Sequence, residues 1–309
     1  MKGVVSVNSD FPAYLDGREE LEYFSTKTLL SRFVTRGDTV AIVHPEDIQN
    51  QEKKVTFKKL FTFHPPNRLE EADPSSFQQG NFFLVRQFGE NLESEKFVHR
   101  FITALSCLEN QFYLVMNTAS ATKYELKNIQ KTLDIPFIPA FDINTPADLE
   151  SVVASGEKII AKPFTGFMGR GIEFFDSVES VYRVFNNGRT PQGYCFERYI
   201  PATMETRIVF IDGSIPFARP RMVEGPPGKE KAAGYSLTQP TSNQRTITQQ
   251  VIEQTGMQFG SVDFRGEFVL EINGSGLGLV PPAKVKNYDQ IQPYDLTNDL
   301  IDLIKRKSQ

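Results

Sequence analysis

The stretch GSVDFRGEFVLEINGSG, residues 260 to 276, is typical of two strands joined by a tight turn at Arg-Gly-Glu. A three-residue loop over residues 265 to 267 predicts that Asp263 lies opposite Val269. Because side chains alternate between the two faces of a sheet, Asp263 and Glu271 are then predicted to share one face. The stretch therefore predicts an antiparallel hairpin that carries acidic groups on one side.

The same hairpin offers oxygen ligands to a metal ion. Asn273 follows Glu271 at the strand period, so its amide is predicted on the face of the two carboxylates. Diagonal neighbours on a sheet lie about 7–8 Å apart, a gap that metal ions between two carboxylates can bridge. Oxygen ligands favour Mg²⁺ or Mn²⁺. Taken alone, the pattern is also compatible with a solvated polar edge of a hairpin.

A second candidate site lies at the end of the apolar run EKIIAKPF, residues 157 to 164, which is typical of a buried strand. Lys162 precedes a proline and the turn TGFMGRG, which is predicted to return into a second strand. Three glycines of this turn let backbone N–H groups approach an anion: Gly166, Gly169 and Gly171. A lysine ammonium adds positive charge for phosphate oxygens. The turn does not match a Walker A sequence, so a structural hairpin is the alternative.

Length and composition indicate a globular protein of two or three packed units, with 309 residues, 23% charged and 39% hydrophobic. The net charge of −4 argues against a nucleic-acid partner. No apolar run reaches the ~18 residues that span a bilayer, and the N-terminus does not resemble a secretory signal. We therefore expect a cytoplasmic protein without a membrane partner.

Cysteine and histidine usage excludes several site classes. Cys107 and Cys195 lie on unrelated segments without metal-ligand spacing, so both are predicted to be buried and reduced. The three histidines are scattered: His44, His64 and His99. Zinc sites and histidine-base mechanisms are therefore not expected.

The pattern of apolar residues predicts an α/β unit over about the first 110 residues and antiparallel strands later, an α+β arrangement. Residues 64 to 80 are predicted as an ordered surface loop, and residues 94 to 108 as a helix before the strand FYLVMN. The next helix, predicted to stop before Pro136, carries an apolar stripe of Leu126, Ile129 and Leu133.

The order of motifs resembles the ATP-grasp superfamily, most closely its bacterial glutathione synthetase-like carboxylate-amine ligases. The match covers roughly residues 81 to 276 and includes, in order, LVRQFGENLESEKF, VMNTASATKYELK, KIIAKPFTGFMGRGI, GYCFERYIP, ETRIVFIDG and VDFRGEFVLEING. The resemblance implies an ATP-grasp fold, with the nucleotide between two α+β subdomains. It implies an N-terminal α/β (pre-ATP-grasp) substrate domain over residues 1–116, a lid subdomain over 117–193 and a catalytic subdomain over 194–309.

The resemblance also implies roles for individual residues. Lys127 and Lys162 would contact the ATP phosphates, Lys127 being aligned after a one-residue gap. The adenine would be bound by a hinge strand formed by Glu197, Arg198, Tyr199 and Ile200, and the ribose by Glu205.

Further implied roles concern charge neutralisation. Arg207 would reach a phosphate, and Arg221 fits a clamp for a carboxylate or an intermediate. Asp263, Glu271 and Asn273 match, in type, order and spacing, the residues with which family members bind two Mg²⁺ ions.

The implied activity is that of an ADP-forming carbon-nitrogen ligase, which activates a carboxylate as an acyl phosphate and joins an amino acid or short peptide to an amine. Departures from the glutathione synthetase pattern at residues 230–236 and 274–278 favour the ligase chemistry more than the tripeptide product. Arg86 is either a contact for a substrate carboxylate or a surface arginine. The alternative function is a non-catalytic ATP-binding regulatory module, and relatives that form dimers or tetramers make a homo-oligomer compatible with either function.

Overall fold

The computed structural model describes residues 1–7, 11, 21–51, 54–78, 80–86, 95–165, 169, 171–185, 189–227, 230–275, 279 and 295–309. These residues form three main sheets, each with its own apolar core contacts. The combination of a mainly parallel N-terminal sheet with antiparallel sheets confirms the predicted α+β class. Among the described helices, none combines the length and apolar character needed to cross a bilayer.

The N-terminal unit is a six-stranded sheet of order β6-β5-β2-β1-β7-β8. Its strands, with the separate hairpin β3–β4, are β1 (Lys2–Ser6), β2 (Thr39–Val43), β3 (Ile48–Gln51), β4 (Lys54–Phe57), β5 (Phe61–His64), β6 (Arg68–Glu71), β7 (Phe82–Val85) and β8 (Leu114–Met116). Strands β1, β2, β7 and β8 are parallel, which confirms the α/β prediction. Helix α1 (Leu21–Thr35) and helix α2 (Glu95–Leu108) contribute to separate apolar clusters of this sheet.

The segment predicted as a surface loop over residues 64 to 80 contains regular structure. His64 pairs with Arg68, so the chain turns back into β6, and a 3₁₀ helix follows at Pro74–Phe77. Phe77 is buried and anchors this connection. The loop prediction was wrong for this part because exposed charged residues are tolerated on an edge strand.

The continuous helix predicted before Pro136 is broken. The structure has α3 (Ala119–Thr122), a 3₁₀ helix (Lys123–Glu125) and α4 (Lys127–Gln130). Leu126 is extended, with φ −79° and ψ 122°, although its side chain is buried as the stripe predicted. Tertiary hydrogen bonds from this segment to a neighbouring strand replace the helix that propensity favours.

A four-stranded antiparallel sheet of order β11-β10-β12-β9 follows. Its elements are β9 (Ala140–Phe141), α5 (Pro146–Ala154), β10 (Ile159–Pro163), β11 (Glu173–Phe175), α6 (Val178–Phe185) and β12 (Tyr194–Arg198). The pairing of β10 with β11 confirms the predicted hairpin. The proposed boundary at residue 193 falls directly before β12, and the division into three domains stays a prediction.

The last sheet has five antiparallel strands in the order β15-β14-β13-β16-β17. Its elements are β13 (Met204–Ile211), β14 (Ser214–Glu224), β15 (Lys231–Tyr235), α7 (Ser242–Thr255), β16 (Phe259–Arg265), β17 (Phe268–Asn273) and the terminal helix α8 (Thr297–Lys307). Helix α7 ends at Gly256, whose φ of 67° is in the left-handed region, as expected for a glycine that ends a helix. Helix α7 packs on one face of the sheet, and α8 joins the core that contains β1 and α1.

The β16–β17 hairpin differs from its predicted register. Arg265 pairs with Phe268, which leaves a two-residue loop that begins at Gly266 with φ 64°. An irregularity between Asp263 and Phe264 then places Asp263 directly opposite Glu271. The predicted pairing of Asp263 with Val269 was wrong, but directly opposed residues share a face, so the shared face is confirmed.

Candidate functional site

A charged surface covers one end of the five-stranded sheet, on the face opposite α7. Strand register brings directly opposite each other Arg207 and Arg219, Glu205 and Arg221, Arg207 and Asp263, and Asp263 and Glu271. The intervening residues, such as Ile208 and Val262, point to the α7 core. The strand period therefore separates an apolar face from a charged one along the same strands.

Asp263 and Arg207 form the central ion pair of this surface. Arg207 donates from Nε to Oδ1 and from Nη2 to Oδ2, both at 2.7 Å, in the two-bond geometry that a guanidinium favours. Arg221 Nη2 lies 3.4 Å from Oδ2. Burial alone would raise the pKa of Asp263, but Arg207, Arg221 and Arg219 outweigh it and hold the pKa below its usual value. Asp263 is therefore an ionised carboxylate.

Glu205, predicted to bind ribose, is held by two arginines. Arg221 donates to Oε2 at 2.6 Å and Arg265 donates to Oε1 at 2.6 Å. Arg265 also donates to the backbone oxygen of Ile200 at 3.1 Å. Oε2 accepts a second bond from Arg221, whereas Oε1 accepts the one from Arg265 and retains a lone pair. The ribose role stays a prediction.

Arg219 and Arg265 were missed by the sequence reasoning. Arg219 lies two residues before Arg221, so the strand period alone would have placed both on one face. Arg265 was assigned to the predicted loop, and the true register moves it into β16. Both arginines are buried, at 8% and 7% exposure, and they add positive charge to the site.

The predicted phosphate lysine, Lys162, belongs to a second charged group, formed with Glu197 and Lys131. Its Nζ and the Nζ of Lys131 each lie 2.6 Å from a different oxygen of Glu197, which is 2% exposed. Burial would raise the pKa of Glu197, but the two ammonium groups more than offset it and the pKa is lowered. Lys131 was not predicted, although it follows Lys127 by four residues, a spacing that places both on one side of a helix.

A buried thiol lies beside this lysine pair. Cys195 pairs across the sheet with Lys162. Burial, together with the negative charge of Glu197, raises the pKa of the Cys195 thiol to about 11. Both cysteines are free thiols, as predicted, but only Cys195 is buried; Cys107 is half-buried, so the prediction of its burial was wrong.

Lys127 connects the lysines to the acidic hairpin. Its Nζ lies 3.2 Å from Oε1 of Glu271, and its backbone N–H donates to the oxygen of Phe164 just beyond β10. Lys162 also donates to the backbone oxygen of Leu270 at 3.4 Å. Strand β17 is therefore in contact with α4 and with β10, so both predicted lysines lie at the strand that carries Glu271 and Asn273.

The side chains of two further hinge residues, Arg198 and Tyr199, bind acids other than Glu197. Arg198 is exposed and forms an ion pair with Glu157, with bonds of 2.8 and 3.0 Å. The hydroxyl of Tyr199 donates to Glu230 at 3.4 Å. An adenine contact through the backbone of residues 197 to 200 stays a prediction.

The glycine turn and Arg86 are only partly described. Gly169 and Gly171 have φ values of 73° and 71°, whereas Gly166 lies outside the described residues. Arg86, at the end of β7, is 1% exposed, and its Nη2 donates to the hydroxyl of Thr26 at 3.4 Å. The interpretation of Arg86 as a surface arginine was therefore wrong.

Asp263, Glu271 and Asn273, on β16 and β17, offer the oxygen atoms that Mg²⁺ prefers as ligands. Across the described ranges, no group of three or more His, Cys, Asp or Glu side chains could hold a metal. Asp263 and Glu271 nevertheless lie directly opposite each other, and Asn273 follows Glu271 at the strand period on the same face. Mg²⁺ commonly takes one or two carboxylates and completes its shell with water and substrate phosphates, so this incomplete set is sufficient.

Neither the protein-family models nor the curated proteins compared with this chain match it. Several solved structures do match the chain. The ATP-grasp ligase PsnB with its minimal precursor superposes with a TM-score of 0.65 at 12% identity, over 100% of this chain and 99% of that chain. PsnB with a phosphomimetic precursor variant, Mg and ADP gives 0.64 at 13%, over 99% and 98%.

Two further structures cover the whole chain. The D-cycloserine synthetase DcsG gives a TM-score of 0.57 at 12% identity, over 100% of both chains. An ATP-grasp RimK domain protein from Sphaerobacter thermophilus gives 0.57 at 14%, over 100% and 98%. At these identities the likeness shows the fold, which is the ATP-grasp fold predicted from the motifs.

Proposed function

We propose that this chain of ATP-grasp fold is an ATP-dependent carboxylate-amine ligase. The observation that carries the proposal is the convergence of Lys127 and Lys162 on the strand that holds Glu271, next to the ion pair of Arg207 and Asp263. Cations and oxygen ligands in this arrangement suit a nucleotide triphosphate with Mg²⁺. Two structural neighbours, the ATP-grasp ligase PsnB, solved with Mg and ADP, and the D-cycloserine synthetase DcsG, support the same activity.

Each side chain has a proposed task. Lys127 and Lys162 bind phosphate oxygens, and both are partly buried, which strengthens their interaction with an anion. Arg207 neutralises charge on the transferred phosphoryl group, and Arg221 orients the substrate carboxylate. Because each of these groups is now bound to an acid, ATP and substrate would replace acids as partners of the cations.

Asp263, Glu271 and Asn273 would hold the two Mg²⁺ (or Mn²⁺) ions that we propose. When bound, the metal supplies charge neutralisation at the β- and γ-phosphates. Asp263 is ionised at neutral pH, so no proton has to be displaced from it. Glu271 pairs with Lys127, which keeps the carboxylate oriented toward the phosphate lysines.

The proposed reaction transfers the γ-phosphoryl of ATP to a carboxylate oxygen and releases ADP. The amine then attacks the acyl carbon, the bond to the phosphate oxygen breaks, and the amine loses a proton, so phosphate leaves and an amide forms. We propose an amino acid or short peptide as substrate. The finer assignment to a glutathione synthetase-like ligase rests on the motifs alone.

The test is phosphate release from ATP and Mg²⁺ with amino acids and short peptides, singly and in pairs, with product masses measured. We expect release only when both a carboxylate and an amine are present, and a product lighter than their sum by one water. ATP binding without phosphate release for any pair would favour the non-catalytic module instead.

Two substitutions test the assigned residues. Lys162→Ala and Asp263→Ala are each expected to lower kcat/KM by on the order of 10²-fold or more, because each removes preorganised charge from the site. The control is Arg306→Ala, whose exposed ion pair with Asp212 lies on α8 and is expected to leave turnover unchanged. Normal turnover in both site variants would contradict the assignment.

A further inference from the structure

The outer edge of β17 is bound at Val269 by the backbone of residues 136 to 138, and beyond that by side chains. In the described part of the chain, β16 is the only sheet neighbour of β17. An edge strand presents backbone N–H and C=O groups that need partners. The backbone groups of Ile272 and Gly274, which flank the predicted ligand Asn273, are hydrogen-bonded by side chains of the segment from Asn117 to Gln130.

Gln130 makes the most complete of these contacts. Its Oε1 accepts from the N–H of Ile272 at 3.1 Å, and its Nε2 donates to the oxygen of Ile272 at 2.7 Å. The same Nε2 donates to the oxygen of Tyr124 at 2.8 Å. Gln130 is 3% exposed, so water does not compete well for these bonds.

Glu125 and Asn117 bind the next outward-facing peptide groups. Oε1 of Glu125 accepts from the N–H of Gly274 at 2.7 Å, and Nδ2 of Asn117 donates to the oxygen of Gly274 at 2.7 Å. The backbone is therefore bound at Ile272 and Gly274, directly before and after Asn273. The peptide groups on either side of Asn273 therefore cannot rotate far without breaking a buried hydrogen bond.

The same segment carries Lys127, which contacts Glu271. One short stretch thus binds the backbone beside Glu271 and Asn273 and also supplies a phosphate lysine. We infer that Gln130 is a positioning residue that fixes the proposed metal ligands of β17, Glu271 and Asn273, relative to Lys127. This inference rests on the proposed function, since it concerns the same Mg²⁺-nucleotide site.

A purely structural role of Gln130 is the alternative, and the chain offers a matched control. Gln111 makes the same two-bond contact elsewhere: Oε1 accepts from the N–H of Val55 at 2.9 Å, and Nε2 donates to the Val55 oxygen at 3.1 Å. Gln111 lies in the N-terminal unit, away from β17. Gln130→Leu and Gln111→Leu each remove a pair of bonds to one backbone residue, and Gln130→Leu also removes the bond to Tyr124, but only Gln130 lies at the site.

The experiment measures the affinity of the non-hydrolysable nucleotide AMPPNP by calorimetry, with Mg²⁺ and with EDTA, for the full chain and both variants. Direct Mn²⁺ binding by electron paramagnetic resonance gives a second readout. Because partners that orient ligands typically matter by 10–100-fold in metal affinity, we expect Gln130→Leu to weaken Mn²⁺ binding by about 10-fold or more. Gln111→Leu is expected to bind Mn²⁺ and AMPPNP as the unchanged protein does, even if its Tm falls.

Equal Mn²⁺ and Mg²⁺-dependent nucleotide affinity in Gln130→Leu and Gln111→Leu would overturn the inference and leave the proposed function intact. Absence of any Mg²⁺ effect in the unchanged protein would instead overturn the proposed function. If Gln130→Leu does not fold, Gln130→Glu decides: it retains the acceptor for Ile272 N–H and loses the donor, so weaker Mn²⁺ binding supports the inference and unchanged binding overturns it.

Discussion

At the scale of single residues, the site is a set of buried charges that neutralise one another. Glu197 lies between two lysines, Glu205 between two arginines, and Asp263 against Arg207. Each pair offsets a desolvation cost that either partner alone would carry. The same charges are the proposed contacts for phosphates and metal, so binding would exchange one set of buried ion pairs for another.

Glu197→Gln tests the buried lysine pair. It leaves Lys131 and Lys162 without their counter-charge, and the free energy of unfolding at pH 7 is expected to fall by on the order of 3 kcal/mol. Chemical denaturation measures this change. The exposed ion pair of Glu157 with Arg198 is the control, because Glu157→Gln is expected to cost less than about 1 kcal/mol.

The pH dependence follows from the lowered pKa of Glu197. Since the folded-state pKa lies below the unfolded one, its contribution is fully present above the unfolded pKa of about 4.3 and is lost as pH falls through the folded pKa. Glu197→Gln should therefore show a smaller loss of stability on acidification below about pH 4.3. A denaturation series with the same acid dependence in both proteins would contradict this account.

At the scale of elements, the β16–β17 hairpin sets the relative positions of Asp263 and Glu271, the two carboxylates proposed to bind metal. The two-residue loop at Gly266 and the irregularity after Asp263 together set Asp263 opposite Glu271. The broken helix before Pro136 has a similar role, since its break at Leu126 directs Glu125 and Gln130 to β17. In both cases, a departure from regular structure places the site residues.

Gly266→Ala tests the turn. Among the described residues, no atom beyond the two adjacent residues lies within 4 Å of an added Cβ, so the cost arises from the φ of 64°, and we expect about 1 kcal/mol of destabilisation. Thermal and chemical unfolding measure the change. Glu267→Ala, in the same loop, is the control and should alter stability by less than about 0.5 kcal/mol. Equal stability of Gly266→Ala and the unchanged chain would mean that the turn adopts another conformation.

Much of the element pattern follows from the sequence, and the reasons are local. The period of apolar residues predicted α2, because its own side chains separate a buried face from an exposed one, and an apolar run followed by a glycine turn predicted the β10–β11 hairpin. The shared face of Asp263 and Glu271 was predicted even though their register was not. Lys131 and Arg219 were missed although each lies at a local spacing from a predicted residue, and Arg265 was missed because the true register moves it out of the predicted loop.

At the scale of the whole molecule, separate apolar cores distinguish parts of the chain. One core joins β1 and α1 to α8 and to residues of β13 such as Val209. The four-stranded sheet has a core of its own with α5 and α6, including Phe175 and Phe185 stacked at 5.8 Å. We therefore expect the four-stranded sheet to open more independently than the terminal helix.

Hydrogen exchange tests this division with two buried substitutions. Phe175→Ala, expected to cost about 3–5 kcal/mol, should accelerate exchange within residues 140–198 and leave β13 protected. Leu300→Ala, expected to cost about 2–5 kcal/mol, should accelerate exchange in β1, β13 and α8 together. Both side chains are 0% exposed, so they are comparable in burial. Uniform acceleration along the chain by Phe175→Ala would contradict a separate lid.

The sequence by itself determined the α+β class, the antiparallel hairpins and the shared face of Asp263 and Glu271 on β16 and β17. These features depend on residue types at short spacing, which act in the same way in any context. Only the tertiary structure decided the register of the hairpin, the break at Leu126 and the clamp of Gln130 on Ile272. Those features arise where residues far apart in the chain satisfy each other's buried polar groups, and local propensity is too weak to oppose that demand.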